Sequence, residues 1–315
     1  PWRRWPWRRW PRKMNIVDSD EYKIESSFQP IMSGSWSGAP DLGEYEAEEI
    51  WIEVEPEVSI RVLIWKNHDS VEGLRPIVMV PGWGSLFQGW KPLVSEWVKR
   101  RNLVYIETRE KGSSRMDKRI SKDSFSVQRH GKDLSEVLNY LEIDHSSVDW
   151  FSSSLGSTVL IDAYQRGELG GRSSILLAPN PDFKFPLWAR SIIWAPLPMV
   201  AFRKLVGLVA WAVDRRTKEE GQRVRYRRAL MSQDVPKMLM SARSNLGFSL
   251  PSNLASVEVK CAVMTASSDT LHDFEKVERI ANSIPGCELI EVPSNQYAHE
   301  AEVLSEIEDF YSSLE

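Results

Sequence analysis

The chain has 315 residues, 42% of them hydrophobic and 27% charged, which supplies one large core with an insertion or two small domains and excludes a disordered chain. Net charge is −4, but residues 1–13 (PWRRWPWRRWPRK) carry five Arg and one Lys, leaving −10 on the rest. An acidic body excludes nucleic acid as the main partner, because phosphate recognition needs clustered positive charge.

Two cysteines, Cys261 and Cys287, form neither a disulfide framework nor a metal-ligand spacing. They read as reduced, buried thiols of a cytoplasmic protein, and no metal is implied. No stretch reaches the roughly 20 apolar residues of a membrane span. The nearest runs, Ser191 to Phe202 and Leu205 to Val213, are separated by Arg203 and Lys204, and Pro196 and Pro198 interrupt the first. The basic start has no apolar stretch behind it, so no secretory signal is read.

Residues 1–45 read as a tail and an arm. In residues 1–13, Trp alternates with paired Arg, as in short membrane-active peptides, and three prolines block a regular helix. The simpler reading is an appended tag, with Met14 as the natural start. The acidic, Ser/Gly-rich stretch to residue 45 shows few periodic apolar positions. The organised chain begins near Glu46. Ile50 to Glu55 and Val58 to Trp65 predict a hairpin turning at Glu55-Pro56-Glu57. Ile77 to Val80, Leu103 to Ile106, Val148 to Phe151 and Ser174 to Ala178 predict buried strands. Helices are expected over Trp90 to Arg100, Val127 to Leu141 and Ser157 to Arg166. That alternation means a parallel sheet with crossover helices, an α/β fold. It stops over residues 183–250, which pattern as helix. It resumes with a strand from Val257 to Thr265, a helix from Asp273 to Ser283, a strand from Glu288 to Val292 and a last helix from Glu300.

The sharpest chemical signal is Ser152-Ser153-Ser154-Leu155-Gly156, between a buried strand and a helix. A nucleophile on such a corner has its Oγ pushed out above the sheet. The corner needs small residues two before and two after, which singles out Ser154. A serine hydroxyl needs a base. Of the five histidines, His299 lies just after the last strand, at the sheet edge where ligands bind. His68 and His145 sit in polar connections, His130 on an amphipathic helix, and His272 beside an acid. The base needs a carboxylate to hold its tautomer. Asp269 follows the strand from Val257, with Asp182 in reserve and Asp273 weaker. The catalytic set is therefore Ser154, Asp269 and His299.

In these residues the chain resembles the α/β-hydrolase family over about residues 46–315. Val80-Pro81-Gly82-Trp83-Gly84-Ser85 is similar to the family's His-Gly loop, with Pro81 in place of His. The resemblance implies an oxyanion hole made by the backbone N–H groups of Trp83 and Leu155. Glu107-Thr108-Arg109-Glu110-Lys111-Gly112-Ser113-Ser114 is similar to the family's Asp-x-Arg-Gly-x-Gly-x-Ser loop, altered at Glu107 and Glu110. Ser152 stands where the family has the first Gly of its elbow. By the same resemblance, residues 183–250 form a helical cap on a core of residues 46–182 and 251–315.

The expectation is a carboxylic ester hydrolase that needs no cofactor, with an ester carrying an apolar acyl or alcohol group as its small-molecule partner. Acyl transfer by the same triad and a non-catalytic binding scaffold are the alternatives. Oligomeric state is left open. Peripheral membrane contact through Leu205 to Val213 with Arg203 and Lys204 is set behind packing of those residues inside the cap.

Overall fold

The computed structural model describes residues 40–66, 75–185, 187–216, 220–266 and 273–314. Glu48–Glu55 (β1) and Val58–Trp65 (β2) form the expected antiparallel hairpin, with Glu57 at φ +65° in its turn. Next come Ile77–Val80 (β3), Lys91–Trp97 (α1), Leu103–Ile106 (β4) and the two-residue Arg115–Met116 (β5). Val127–Tyr140 (α2) starts where the Ser126 hydroxyl accepts a bond from the Arg129 N–H, which satisfies one of the orphan donors of the first turn. Asp149–Ser153 (β6), Leu155–Gln165 (α3) and Ser173–Leu177 (β7) follow. Four consecutive helices come next: Leu187–Trp194 (α4), Met199–Arg216 (α5), Glu220–Met231 (α6) and Val235–Asn245 (α7). Lys260–Ala266 (β8), Phe274–Ser283 (α8), Glu288–Val292 (β9) and Leu304–Ser312 (α9) complete the chain.

Among the described residues these strands form one sheet ordered β1-β2-β4-β3-β6-β7-β8-β9, with β5 paired to β2. From β4 onward along this order the pairings are parallel; the hairpin joins antiparallel through β2 and β4. Parallel strands covered by helices on both faces must be apolar throughout, and β3 and β4 are buried at every position. The period-2 alternation sends Val78, Val80, Val104 and Ile106 into one core with Leu134, Val137 and Leu138 of α2. Ile77, Met79, Leu103 and Tyr105 enter the other with Leu93 and Trp97 of α1 and Ile307 of α9. The chain runs outward from β3 to β4, then back across to β6. That reversal leaves a crevice at the carboxyl ends of β3 and β6, where ligands bind in open α/β sheets.

The helical insertion leaves and re-enters the sheet at one point. Asp182 bridges Ser249, and the Leu250 N–H donates to the Pro181 carbonyl at 2.8 Å. Two starts differ by three or four residues from expectation, and one short strand was not expected. The strand expected from Val257 starts at Lys260, because the Val257 N–H turns back to the Leu254 carbonyl. The helix expected from Glu300 starts at Leu304, after two 3₁₀ turns at Tyr297–His299 and Ala301–Val303. β5 has too few residues to show an alternation. His130 is fully buried, so core packing describes it, and His145 lies in a 3₁₀ turn. Cys261 is buried, but Cys287 is only half-buried, with burial pushing its thiol up to about 12. Residues 1–13, the arm to residue 39, His68, Asp269 and His272 lie outside the described residues.

Candidate active site

Ser154 stands between β6 and α3 with φ +50° and ψ −112°, a conformation that L residues rarely adopt and that functional sites hold by surrounding structure. Here the holding is visible. The Ser154 N–H donates to the Leu177 carbonyl of β7 at 2.8 Å, and its carbonyl accepts from the Thr158 N–H at 3.0 Å. A Cβ on Gly156 would lie 2.4 Å from the Val80 carbonyl oxygen, so strand β3 and helix α3 touch backbone to backbone. A Cβ on Gly82 would lie 3.1 Å from that of Ser154. The loop after β3 thus lies against the serine, at the sheet's topological switch.

Leu155 is the first residue of α3, so its N–H has no acceptor within the helix and faces outward with the positive end of the helix dipole. Trp83 follows Gly82 in the adjoining loop. That loop is held by side chains distant in sequence. The Trp83 indole donates to Ser241 Oγ at 3.0 Å, and Gln233 Nε2 donates to the Gly84 carbonyl at 2.7 Å. Gly84 sits at φ +62°, which glycine adopts without strain.

One neighbour of Ser154 escapes sequence reasoning. Asn180 Nδ2 donates to Ser154 Oγ at 3.0 Å, while the Asn180 N–H donates to Thr158 Oγ1 and fixes the residue that carries that amide. Asn180-Pro181 after a strand reads as an ordinary turn, and its link to a serine 26 positions earlier has no local signature.

His299 is 9% exposed and lies in the 3₁₀ turn after β9. Its Nδ1 is 2.8 Å from the Asn295 carbonyl. A carbonyl only accepts, so Nδ1 carries the proton and Nε2 presents a lone pair. The ring stacks on Trp90 with centroids 4.0 Å apart. Trp90 in turn donates to Ser85 Oγ at 2.9 Å and packs edge-on against Phe151 of β6. The indole therefore ties the histidine to the loop after β3 and to the strand that carries Ser154. Asp182, the reserve acid, is committed elsewhere, paired with Lys276 at 2.9 Å and Lys184 at 3.1 Å. Asp273 occupies the N-cap position of α8. A charged cleft on the α2 face is lined by Glu53, Glu55, Arg129, Lys132 and Glu136, and by none of the residues above.

The chain matches no protein-family model and no curated protein sequence. It superposes on many solved structures. A thermophilic esterase from Thermogutta terrifontis has a TM-score of 0.68 at 16% identity, covering 85% of this chain and 99% of that one. An enol-lactonase from Burkholderia xenovorans LB400 has a TM-score of 0.66 at 15% identity, covering 84% and 100%. A bromoperoxidase from Bacillus anthracis gives 0.63 at 15%, covering 84% and 100%. The protein has the α/β-hydrolase fold.

Within this α/β-hydrolase fold the loop at residues 107–114 is a buried ionic assembly. Arg109 makes two 2.6 Å bonds to the carboxylate of Asp133 and a 2.8 Å bond to Glu55. Lys111 is fully buried, and its ammonium donates to Glu110 Oε1 at 2.9 Å, Thr108 Oγ1 at 2.9 Å and the carbonyl of Gly82 at 3.0 Å. Burial pushes the Glu110 carboxyl up; Lys111, His130 and Thr108 outweigh it and hold the group at about 2. Lys237 of α7 reaches down to the Ser114 carbonyl at 2.7 Å and the Lys111 carbonyl at 3.2 Å, and burial lowers its own pKa. One face of α7, with Gln233 before it, thus grips both the loop beside Ser154 and the loop that supports it.

Proposed function

We propose that the protein is a serine hydrolase that cleaves a carboxylic ester through an acyl-enzyme. Ser154 is the nucleophile, His299 the general base, Asp269 the acid that completes the triad, and the N–H groups of Trp83 and Leu155 the oxyanion donors. The observation that carries this reading is the backbone of Ser154, held at φ +50° on a strand–helix corner closed by Gly156. Such a corner lifts one side chain out of the sheet toward a ligand and has no packing purpose of its own. The esterase and enol-lactonase among the solved structures support acyl chemistry on this fold.

His299 Nε2 takes the proton as Ser154 Oγ bonds to the acyl carbon. The carbonyl oxygen becomes an oxyanion, bound by the two N–H groups. Collapse expels the alcohol, which leaves with the proton from His299. Water then repeats the sequence and releases the acid. The ester carries an apolar acyl or alcohol group. The unpaired thiols fit a reducing, cytoplasmic compartment.

A fluorophosphonate probe is expected to label the folded protein, with the adduct mapped by peptide mass spectrometry to Ser154. Absence of label on folded protein would overturn the hydrolase reading.

Asn180 holds the serine oxygen as an acceptor, so the Ser154 O–H is directed to the base. Asn180→Ala is expected to lower kcat about tenfold with little change in KM, the effect of losing one hydrogen bond of roughly 1–1.5 kcal/mol. Steady-state kinetics on a soluble ester decide it; an unchanged kcat removes Asn180 from the chemistry.

A further inference from the structure

The two outermost helices of the insertion turn apolar side chains to solvent. On α4, Leu187 is 78% exposed, Trp188 56% and Trp194 52%. On α5, Val200, Lys204, Leu208, Trp211 and Arg215 are exposed at spacings of three to four residues, so they share one stripe. On α5 the opposite side is satisfied: Phe202, Leu205 and Val206 pack with Val235 and Leu239 of α7, where Ile192 and Ile193 of α4 also pack. Helix α5 is therefore apolar on two sides and packed on only one, and α4 keeps both of its tryptophans exposed. The expectation that Leu205 to Val213 packs within the insertion holds for Leu205 and Val206 and fails for Leu208 and Trp211.

Charge says what covers this face. The whole chain is acidic at −4, yet residues 183–216 carry six Lys or Arg and one Asp. Cations also sit on the exposed indoles: the Arg215 guanidinium is 4.2 Å from the Trp211 ring and that of Arg243 5.5 Å from Trp194. A second copy of the same face would set like charge against like charge. Trp with Arg and Lys around an aliphatic stripe is the composition of helices that lie in a bilayer interface, with indoles at headgroup level and cations at anionic lipid.

We propose that the outer face of α4 and α5 docks on an anionic lipid bilayer, with Trp188, Trp194 and Trp211 inserted at the headgroup level. The proposal is independent of the catalytic reading, and its readout is binding rather than turnover. The full chain is sedimented with vesicles of phosphatidylserine and phosphatidylcholine, and with phosphatidylcholine alone, beside two variants of the full chain. One is Trp188→Ser/Trp194→Ser/Trp211→Ser; the other is Arg203→Glu/Lys204→Glu. The parent is expected to bind the anionic vesicles, more weakly as salt is raised. Each variant is expected to lose at least about tenfold in partition, from lost insertion or from reversal of charges each worth about that much near an anionic surface. Unchanged circular dichroism shows that the variants fold. Variants that bind as well as the parent would assign binding to residues 1–13 and overturn the proposal. A parent that ignores anionic vesicles, or that dimerises through this face when the variants do not, would overturn it as well.

Discussion

Replacing Ser154 with alanine is expected to reduce kcat by up to about 10⁶ while leaving fold and substrate affinity nearly unchanged. The size follows from how the group acts. Ser154 supplies the bond to the acyl carbon, and without it the oxyanion donors and the positioned base act only on an attacking water. A residual acceleration of about 10³–10⁴ over water remains in such cases. Alanine also carries a Cβ, so the φ +50° backbone meets no new strain. Stability should therefore stay put, and thermal unfolding checks this beside the kinetics. Because the members act as a unit, His299→Ala and the double variant Ser154→Ala/His299→Ala should lie close to the single serine variant. A Ser154→Ala protein that keeps more than about a tenth of parental kcat would place the chemistry elsewhere.

The residues that carry this prediction differ in how visible they are in the sequence. Ser154 and Gly156 are legible because the corner is local: a buried strand, small residues at fixed offsets, then a helix. The apolar strands β3 and β4 are legible because burial on both faces writes a continuous apolar run. His299 is legible by its place after the last strand. What holds these residues is not legible. Asn180, Trp90, Gln233 and Lys237 act across 26 to 209 positions of chain, and only the folded sheet brings them together. The tautomer of His299 shows the same limit. The sequence points to a carboxylate at Nδ1, whereas the described partner there is the Asn295 carbonyl, a backbone atom that no side-chain pattern announces. The outer stripe of α5 was hidden differently. An apolar run on a helix reads the same whether it faces a core or a surface, and only the packing of α7 on one side shows which residues are left over.

The largest stability effect is expected from Lys111→Met. The methionine fits the apolar length of the buried side chain but removes the ammonium that joins Glu110, Thr108 and the Gly82 carbonyl. Glu110 would then keep a buried charge without its principal cation, and breaking a buried pair this way costs about 3–5 kcal/mol. The sign of the pH response should change too. In the parent, Glu110 is depressed from the ordinary 4.5 to about 2, so it contributes stability that is complete above 4.5 and lost as pH falls through 4.5 toward 2. Without Lys111, burial, already the largest influence on this carboxyl, is expected to outweigh His130 and Thr108 and to raise the group above its ordinary value. The folded protein then holds a proton the unfolded chain has lost, and stability falls as pH rises through that raised value. Urea unfolding at pH 5 and pH 7 is therefore expected to show the variant gaining stability on acidification, relative to the parent. Lys111→Met/Glu110→Gln should recover most of the loss by removing the stranded charge. Its kcat should nevertheless stay low, because the Gly82 carbonyl still lacks its donor and the Trp83 N–H beside it is no longer held against Ser154. A double variant no more stable than Lys111→Met would show that the cost comes from the Gly82 contact rather than from Glu110. A double variant with parental kcat would separate this ionic assembly from the oxyanion loop.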